Sequence, residues 1–222
     1  MATGRKIAGA KVAVDVAMGA VLVALMATAL LQEVPHEWLG MALFALVTAH
    51  IVLNRRWMAS VPRIRPNAAR VLQLVVLAGL ILCIAGDVVS SLVISKHVFR
   101  FLPAFAGTAV ARRVHMLCTY WTFVLAFAHA GLHARLPKAR TPRGAWARRV
   151  GIAVATCYGA YSFAKLDLLS YLTGRVQFAF VDFGTSLALT TARYASVAAL
   201  VMVVFQGIRR GLMAAKLGTR HT

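Results

Sequence analysis

Four histidines fall into two pairs of equal spacing, His36 with His50 and His115 with His129, fourteen positions apart in each case. Fourteen residues of α-helix rise about 21 Å and turn through about 1400°, roughly 40° short of four full turns. Both histidines of a pair therefore look out from nearly one face, near opposite ends of their helix. Two such helices set face to face bring four imidazoles into two levels, with two ligands at each. That is the arrangement needed to hold two stacked haems, each iron gripped axially by two histidines. The spacing predicts His36 with His115 at one level and His50 with His129 at the other, as iron ligands.

The plainer alternative is that each histidine only hydrogen-bonds a neighbouring helix or sits at headgroup level. Against it stand the repetition of one spacing and the cost of ionisable groups inside a membrane. Other histidines leave the ligand set open: His133 is one turn beyond His129, and His97 precedes His115 in a loop, whereas His221 lies in the tail. Gly40 and Gly131 lie close to His36 and His129, where a flat macrocycle needs small neighbours. Arg112 and Arg113 precede His115, while Arg55 and Arg56 follow His50. These arginines suit haem propionates; the competing reading is interfacial snorkelling.

Positioning these residues requires long apolar helices. The chain of 222 residues is 60% hydrophobic and only 14% charged, with a mean hydropathy of +0.75, which excludes an ordinary soluble domain. Six stretches approach the roughly 20 residues that cross a bilayer: Val12–Leu31, Trp38–Leu53, Val71–Ile94, Val114–Leu132, Val150–Leu172 and Ser186–Ile208. The second is short and is expected to borrow its ends from Glu37 and Asn54. The first has a basic lead but a long apolar run and no small-residue cleavage site, so it reads as a retained helix.

The net charge of +19 raises the question of nucleic acid, but no groove-reading motif accompanies it. The cations cluster instead. Arg5, Lys6 and Lys11 come before the first span. Arg55, Arg56, Arg63, Arg65 and Arg70 fall between the second and third. Arg135, Lys138, Arg140, Arg143, Arg148 and Arg149 fall between the fourth and fifth, and Arg209, Arg210, Lys216 and Arg220 follow the sixth. With six spans all four groups share one side, while Glu33, Glu37 and Asp182 lie on the other with fewer cations. By the positive-inside rule both termini are expected in the cytoplasm, beneath a multi-pass protein of a bacterial inner membrane. The two histidine helices then run in the same direction.

Cys83, Cys118 and Cys157 fall in three different spans and read as small apolar residues. No C-x-x-C-H motif for covalent haem is present, so any haem is expected to be b-type. Asp15, Asp87, Lys165, Asp167 and Arg193 are polar groups within spans. They read either as ion pairs fixing the packing or as proton-handling groups of a quinone pocket. Nothing matches the Gly-rich phosphate loops or hydrolase motifs.

The run from Glu33 through Pro35, His36, Glu37, Trp38 and Gly40 to His50, closing on Asn54, Arg55, Arg56 and Trp57, resembles a family of small bacterial membrane proteins that look related to the b-type cytochrome subunits of ferric reductases and hydrogenases. The stretch from Arg113 through His115 to His129 and His133 is similar to that group's second histidine helix. The resemblance implies a haem core of the first four helices, with the second and fourth supplying ligands and the last two as an accessory pair. Flavin-bearing members carry a further domain after the helices; here fourteen residues follow Ile208, and no such domain is expected.

The sequence thus predicts an all-α integral membrane protein of one domain, residues 1–222, carrying two b haems. It would pass electrons between a quinone or separate redox protein and an acceptor across the membrane, alone or in a homo- or hetero-oligomer. The alternative is a non-redox helical membrane protein whose histidines bind metal or protons.

Overall fold

The computed structural model describes residues 2–27, 33–61, 67–101, 107–134, 140–176 and 184–218. Leu31, Arg63, Arg65, Arg135, Lys138, Asp182, Arg220 and His221 lie outside the described residues, as do the side chains of Arg5, Lys6 and Lys216. All regular structure among the described residues is helical: α1 (Ala2–Ala27), α2 (Glu33–Ser60), α3 (Ala68–Ile94), α4 (Thr108–His133), α5 (Pro142–Lys165), α6 (Leu168–Leu172) and α7 (Leu187–Gly218).

Four helical stretches are long and apolar enough to cross a membrane: Ile7–Ala27, Glu33–Ser60, Ala68–Ile94 and Leu187–Ala215. The helices α4 and α5 have comparable length, 26 and 24 residues. Their middles are less apolar, α4 through its histidines and the run Thr119, Tyr120, Trp121 and Thr122, α5 through Thr156, Tyr158, Tyr161 and Ser162. Large apolar side chains stand on the outer surface along the bundle, among them Val12, Phe44, Val75, Leu82 and Val154. In a protein with so few charges, such a surface is compatible with a lipid surround.

Local chemistry starts two of the helices. Asn67 accepts a hydrogen bond from the Arg70 N–H at 2.9 Å and caps α3. Thr141 accepts from the Gly144 N–H at 3.1 Å and caps α5, whose first residue is Pro142. A capping oxygen satisfies an orphan N–H, and proline has none to orphan.

Several elements depart from the expected spans. The second is not short: α2 runs 28 residues and carries Arg55 and Arg56 within the helix. The fifth is not continuous, because the chain leaves the helix after Lys165 and Asp167 adopts a left-handed conformation with φ of 47° before α6 begins. Aspartate tolerates this region because its short polar side chain bonds locally; here it accepts from the Ser170 hydroxyl at 2.8 Å. The last helix continues past Ile208 and through Gly211 to Gly218, so Arg209 and Arg210 ride on α7.

The expected core of α1–α4 with an accessory final pair is also revised. α7 packs against α4, α5 and α1, and α4 against α3. The buried cluster joins Leu22 and Met26 of α1, Phe123 and Leu132 of α4, Leu168 and Tyr171 of α6, and Val197 and Val201 of α7. The cause lies in two glycines: a Cβ at Gly131 would run into the Met202 backbone, and one at Gly159 into the Ser196 carbonyl. Glycine lets helix backbones approach closely where no hydrophobic drive operates. Gly131 therefore serves the α4–α7 contact rather than a macrocycle.

Candidate functional site

The expected histidine helix α2 is the exception to this packing. None of its residues is buried, and its backbone comes close to α1 but scarcely to α3 or α4. It still has an inward face. His36, Gly40, Leu43, Val47, His50, Asn54 and Trp57, spaced alternately four and three apart, are half-buried along one stripe. Gly40 opens onto empty space, with no heavy atom within 4 Å of an added Cβ. The stripe faces α4 without closing onto it.

Both ends of α2 are pinned. At the first, the Glu37 carboxylate accepts from the Ser95 hydroxyl at 2.7 Å and from the N–H groups of Lys96, His97 and Val98 at 2.9, 3.1 and 2.8 Å. Lys96 also pairs with Glu33 at 2.6 Å. At the second end, His50 Nδ1 meets Asp15 Oδ1 of α1 at 2.7 Å, and Trp57 stands edge-on to His133 at 5.4 Å between ring centroids.

His36 and His115 face each other across the gap, with ring centroids 6.4 Å apart and planes at 81°. His115 Nδ1 is held from behind by α3: Ser91 Oγ lies at 3.3 Å, Ser90 Oγ at 3.5 Å and Asp87 Oδ1 at 3.6 Å. Asp87 is itself fixed by the hydroxyls of Thr119 and Thr122, at 2.9 and 2.8 Å. His36 Nδ1 is buried without a partner.

His50 is backed by Asp15, and its ring Nδ1 also lies 3.4 Å from the Asn54 amide. His129 packs against His133 at 4.6 Å, and its Nδ1 is buried without a partner. No ring contact joins His50 and His129 among the described residues. The N-terminal half of α2 thus meets the N-terminal half of α4, and the C-terminal ends meet likewise, so the two helices run the same way.

The arrangement is diagonal. At each level one histidine has a carboxylate behind it, His115 of α4 and His50 of α2, and the other has an unpartnered Nδ1, His36 of α2 and His129 of α4. Asp15 and Asp87, read from the sequence either as ion-pair partners or as proton-handling groups, lie beside these histidines. Lys165 and Asp167 are exposed, and neither forms an ion pair among the described residues. Arg193 has a buried Nε without a partner.

The remaining sequence candidates separate. Arg55, Arg112 and Arg113 are exposed at helix ends. His97 lies beside Glu33, at 3.6 Å, rather than on the inward face of α4. His133 stays next to His129, which keeps it in reach of the same level. Cys83 and Cys118 are half-buried and Cys157 exposed, all with free thiols; they are less enclosed than small core residues. Sequence reasoning missed Arg70, which is 9% exposed and lies over the Trp57 ring at 5.2 Å. The available signal was Asn67, whose capping places Arg70 in the first turn of α3 rather than in a loop.

Among the described residues no group of three or more His, Cys, Asp or Glu side chains converges as a metal cage, and of the two predicted pairs only His36 and His115 are in ring contact. Comparison of the chain with protein families, characterised proteins and solved structures returned no match. A functional reading therefore rests on the site itself.

Proposed function

We propose that this protein is a b-type di-haem electron-transfer protein of the bacterial inner membrane, with one haem held by His36 and His115 and the other by His50 and His129. It crosses the membrane six times with both termini in the cytoplasm, and exchanges electrons with a quinone or a separate redox protein. The observation that carries the reading is the half-buried stripe of α2, held off α4 at the positions of the paired histidines.

The residues fit the group. His36 and His115, with ring centroids 6.4 Å apart, would hold one haem, and the open space at Gly40 would give a flat ring clearance. Orphaned nitrogens on His36 and His129 mark polar groups whose surroundings are incomplete without a ligand.

Haem, when bound, supplies one-electron redox chemistry. The chain's part is to orient and to insulate. Asp87, Ser90 and Ser91 engage His115 Nδ1, and Asp15 engages His50 Nδ1, so each ring is left with Nε2 for the metal. A carboxylate behind a ligating imidazole fixes the ring and raises its basicity. Thr119 and Thr122 hold Asp87, so this orientation is built into the α3–α4 packing. Glu37 fixes the outer end of α2 against the α3 loop and sets the separation of the two histidine helices there.

A second reading keeps the bundle and drops the haem: the close His50–Asp15 pair beside His129 and His133 would serve as a proton or metal relay. One measurement separates the two. Protein purified under haem-sufficient expression should be coloured, release non-covalent haem into acidified acetone at two per chain, and change its visible spectrum on adding dithionite. Folded, colourless protein would exclude the haem reading. Orientation is checked in intact cells after replacing the three native cysteines with alanine. Arg100→Cys should react with an impermeant thiol reagent and Arg140→Cys should be protected.

A further inference from the structure

Arg70 is a buried cation whose hydrogen-bonding groups are mostly unsatisfied. Its residue is 9% exposed, its Nη1 reaches Gln73 Oε1 at 3.4 Å, and its Nε and Nη2 are buried with no partner among the described residues. No carboxylate pairs with it among the described residues. Asp15 of α1 is engaged by His50. A guanidinium taken out of water without a partner is costly, so the arrangement calls for an oxyanion.

Position narrows the choice. The Arg70 guanidinium lies over the Trp57 ring at 5.2 Å, Trp57 stands against His133 at 5.4 Å, and His133 against His129 at 4.6 Å. The chain of contacts leads from Arg70 to the inner-level imidazoles. The adjacent Nε–H and Nη2–H groups form the fork that matches two oxygens of one carboxylate. The first turn of α3 adds the positive end of a helix dipole.

We propose that Arg70 is the anchor for a carboxylate of the ligand held between α2 and α4, namely a propionate of the inner haem. This assignment rests on the haem reading above. It replaces Arg55, which is exposed. Trp57 lies under the guanidinium, with 5.2 Å between Cζ and its ring centroid, and restrains it beside the inner-level histidines. Lysine cannot reproduce either feature.

The test uses the full chain, expressed under haem limitation and solubilised, in a His36→Ala background that leaves only the inner level to fill. Iron protoporphyrin IX and its dimethyl ester, which lacks free carboxylates, are titrated in turn. The diacid should bind about 10- to 100-fold more tightly than the ester, as expected for hydrogen bonds to charged groups. Arg70→Gln should abolish most of that preference, and Arg70→Lys should retain part of it, with helix content by circular dichroism unchanged. Equal binding of the two porphyrins would overturn the anchor while leaving the haem reading intact. So would a preference that survives Arg70→Gln. Binding of neither porphyrin by the folded wild-type chain would overturn both readings. A tightly held anionic phospholipid lost on Arg70→Gln, with no preference between the porphyrins, would reassign the site to a lipid phosphate. If His36→Ala does not fold, the same comparison on the two binding steps of the wild-type chain decides the matter.

Discussion

Two faces of α4 meet their neighbours in opposite ways. Toward α7 the contact is dry and close: Gly131 lies against the Met202 backbone, and Phe123, Ala128 and Leu132 are fully enclosed. Toward α2 the same helix presents His115 and His129 to a partner none of whose residues is fully buried and which has open space at Gly40. One glycine is used for backbone approach and the other leaves room. A helix pair that packs for stability shows the first pattern; the second is the one the proposed haem would need. The ends of α2 are nonetheless fixed, by Glu37 at one end and by Asp15 and Trp57 at the other, so the gap has a set width.

The strongest way to break this contrast is to fill each glycine. Gly131→Leu should force α4 away from Met202 and cost at least about 1–3 kcal/mol, the range for overpacked cores, seen as lost yield of monodisperse protein and a lower Tm. Gly40→Leu should leave folding within about 0.5 kcal/mol of wild type, as for open positions, yet reduce haem content. Equal loss of fold in both variants would show that α2 packs as tightly as α7.

Removing ligands sharpens the description of the gap. His115→Ala and His50→Ala should each retain a folded chain and drop haem from two per chain to one, since the two levels are about 21 Å apart along α2. Pyridine haemochrome assay against protein concentration measures this. Loss of both haems from one such folded variant would contradict independent levels.

A smaller effect is expected from the carboxylates. Asp87→Asn and Asp15→Asn should weaken haem retention at their own levels by about 10- to 100-fold, the usual consequence of losing a carboxylate behind a ligand. The reduced-minus-oxidised spectrum and the midpoint potential of the affected level should also move. A purely structural role would alter stability and leave the potential where it was.

The smallest effect is assigned to His133→Ala. With His129 as ligand, haem content should stay at two per chain and only the packing on Trp57 should loosen. Selective loss of the inner haem would transfer the ligand role to His133, whose ring already touches His129.

Much of the site's framework was legible in the chain. Fourteen-residue spacing fixes which side chains share a helical face, because helix pitch is a local property. Segment length and apolar content located the helices of the bundle, and those remain compatible with a membrane. Boundaries were less legible where no breaker stood. α2 and α7 run on through arginines because arginine is a good helix former, while Asp167 interrupts the fifth segment without a glycine or proline to announce it.

By itself, then, the sequence determined an all-helical architecture and the repeated histidine geometry, both consequences of short-range periodicity in a chain of mostly apolar residues. Tertiary structure alone decided which helix became central and which stood apart. Gly131 and Gly40 are the same residue, and only the helix opposite makes one a tight contact and the other a clearing. It likewise decided that Asp15 and Asp87 back His50 and His115, and that Arg70 is enclosed beside Trp57. Each of these joins side chains from different helices, and no spacing along one chain segment encodes the distance between two.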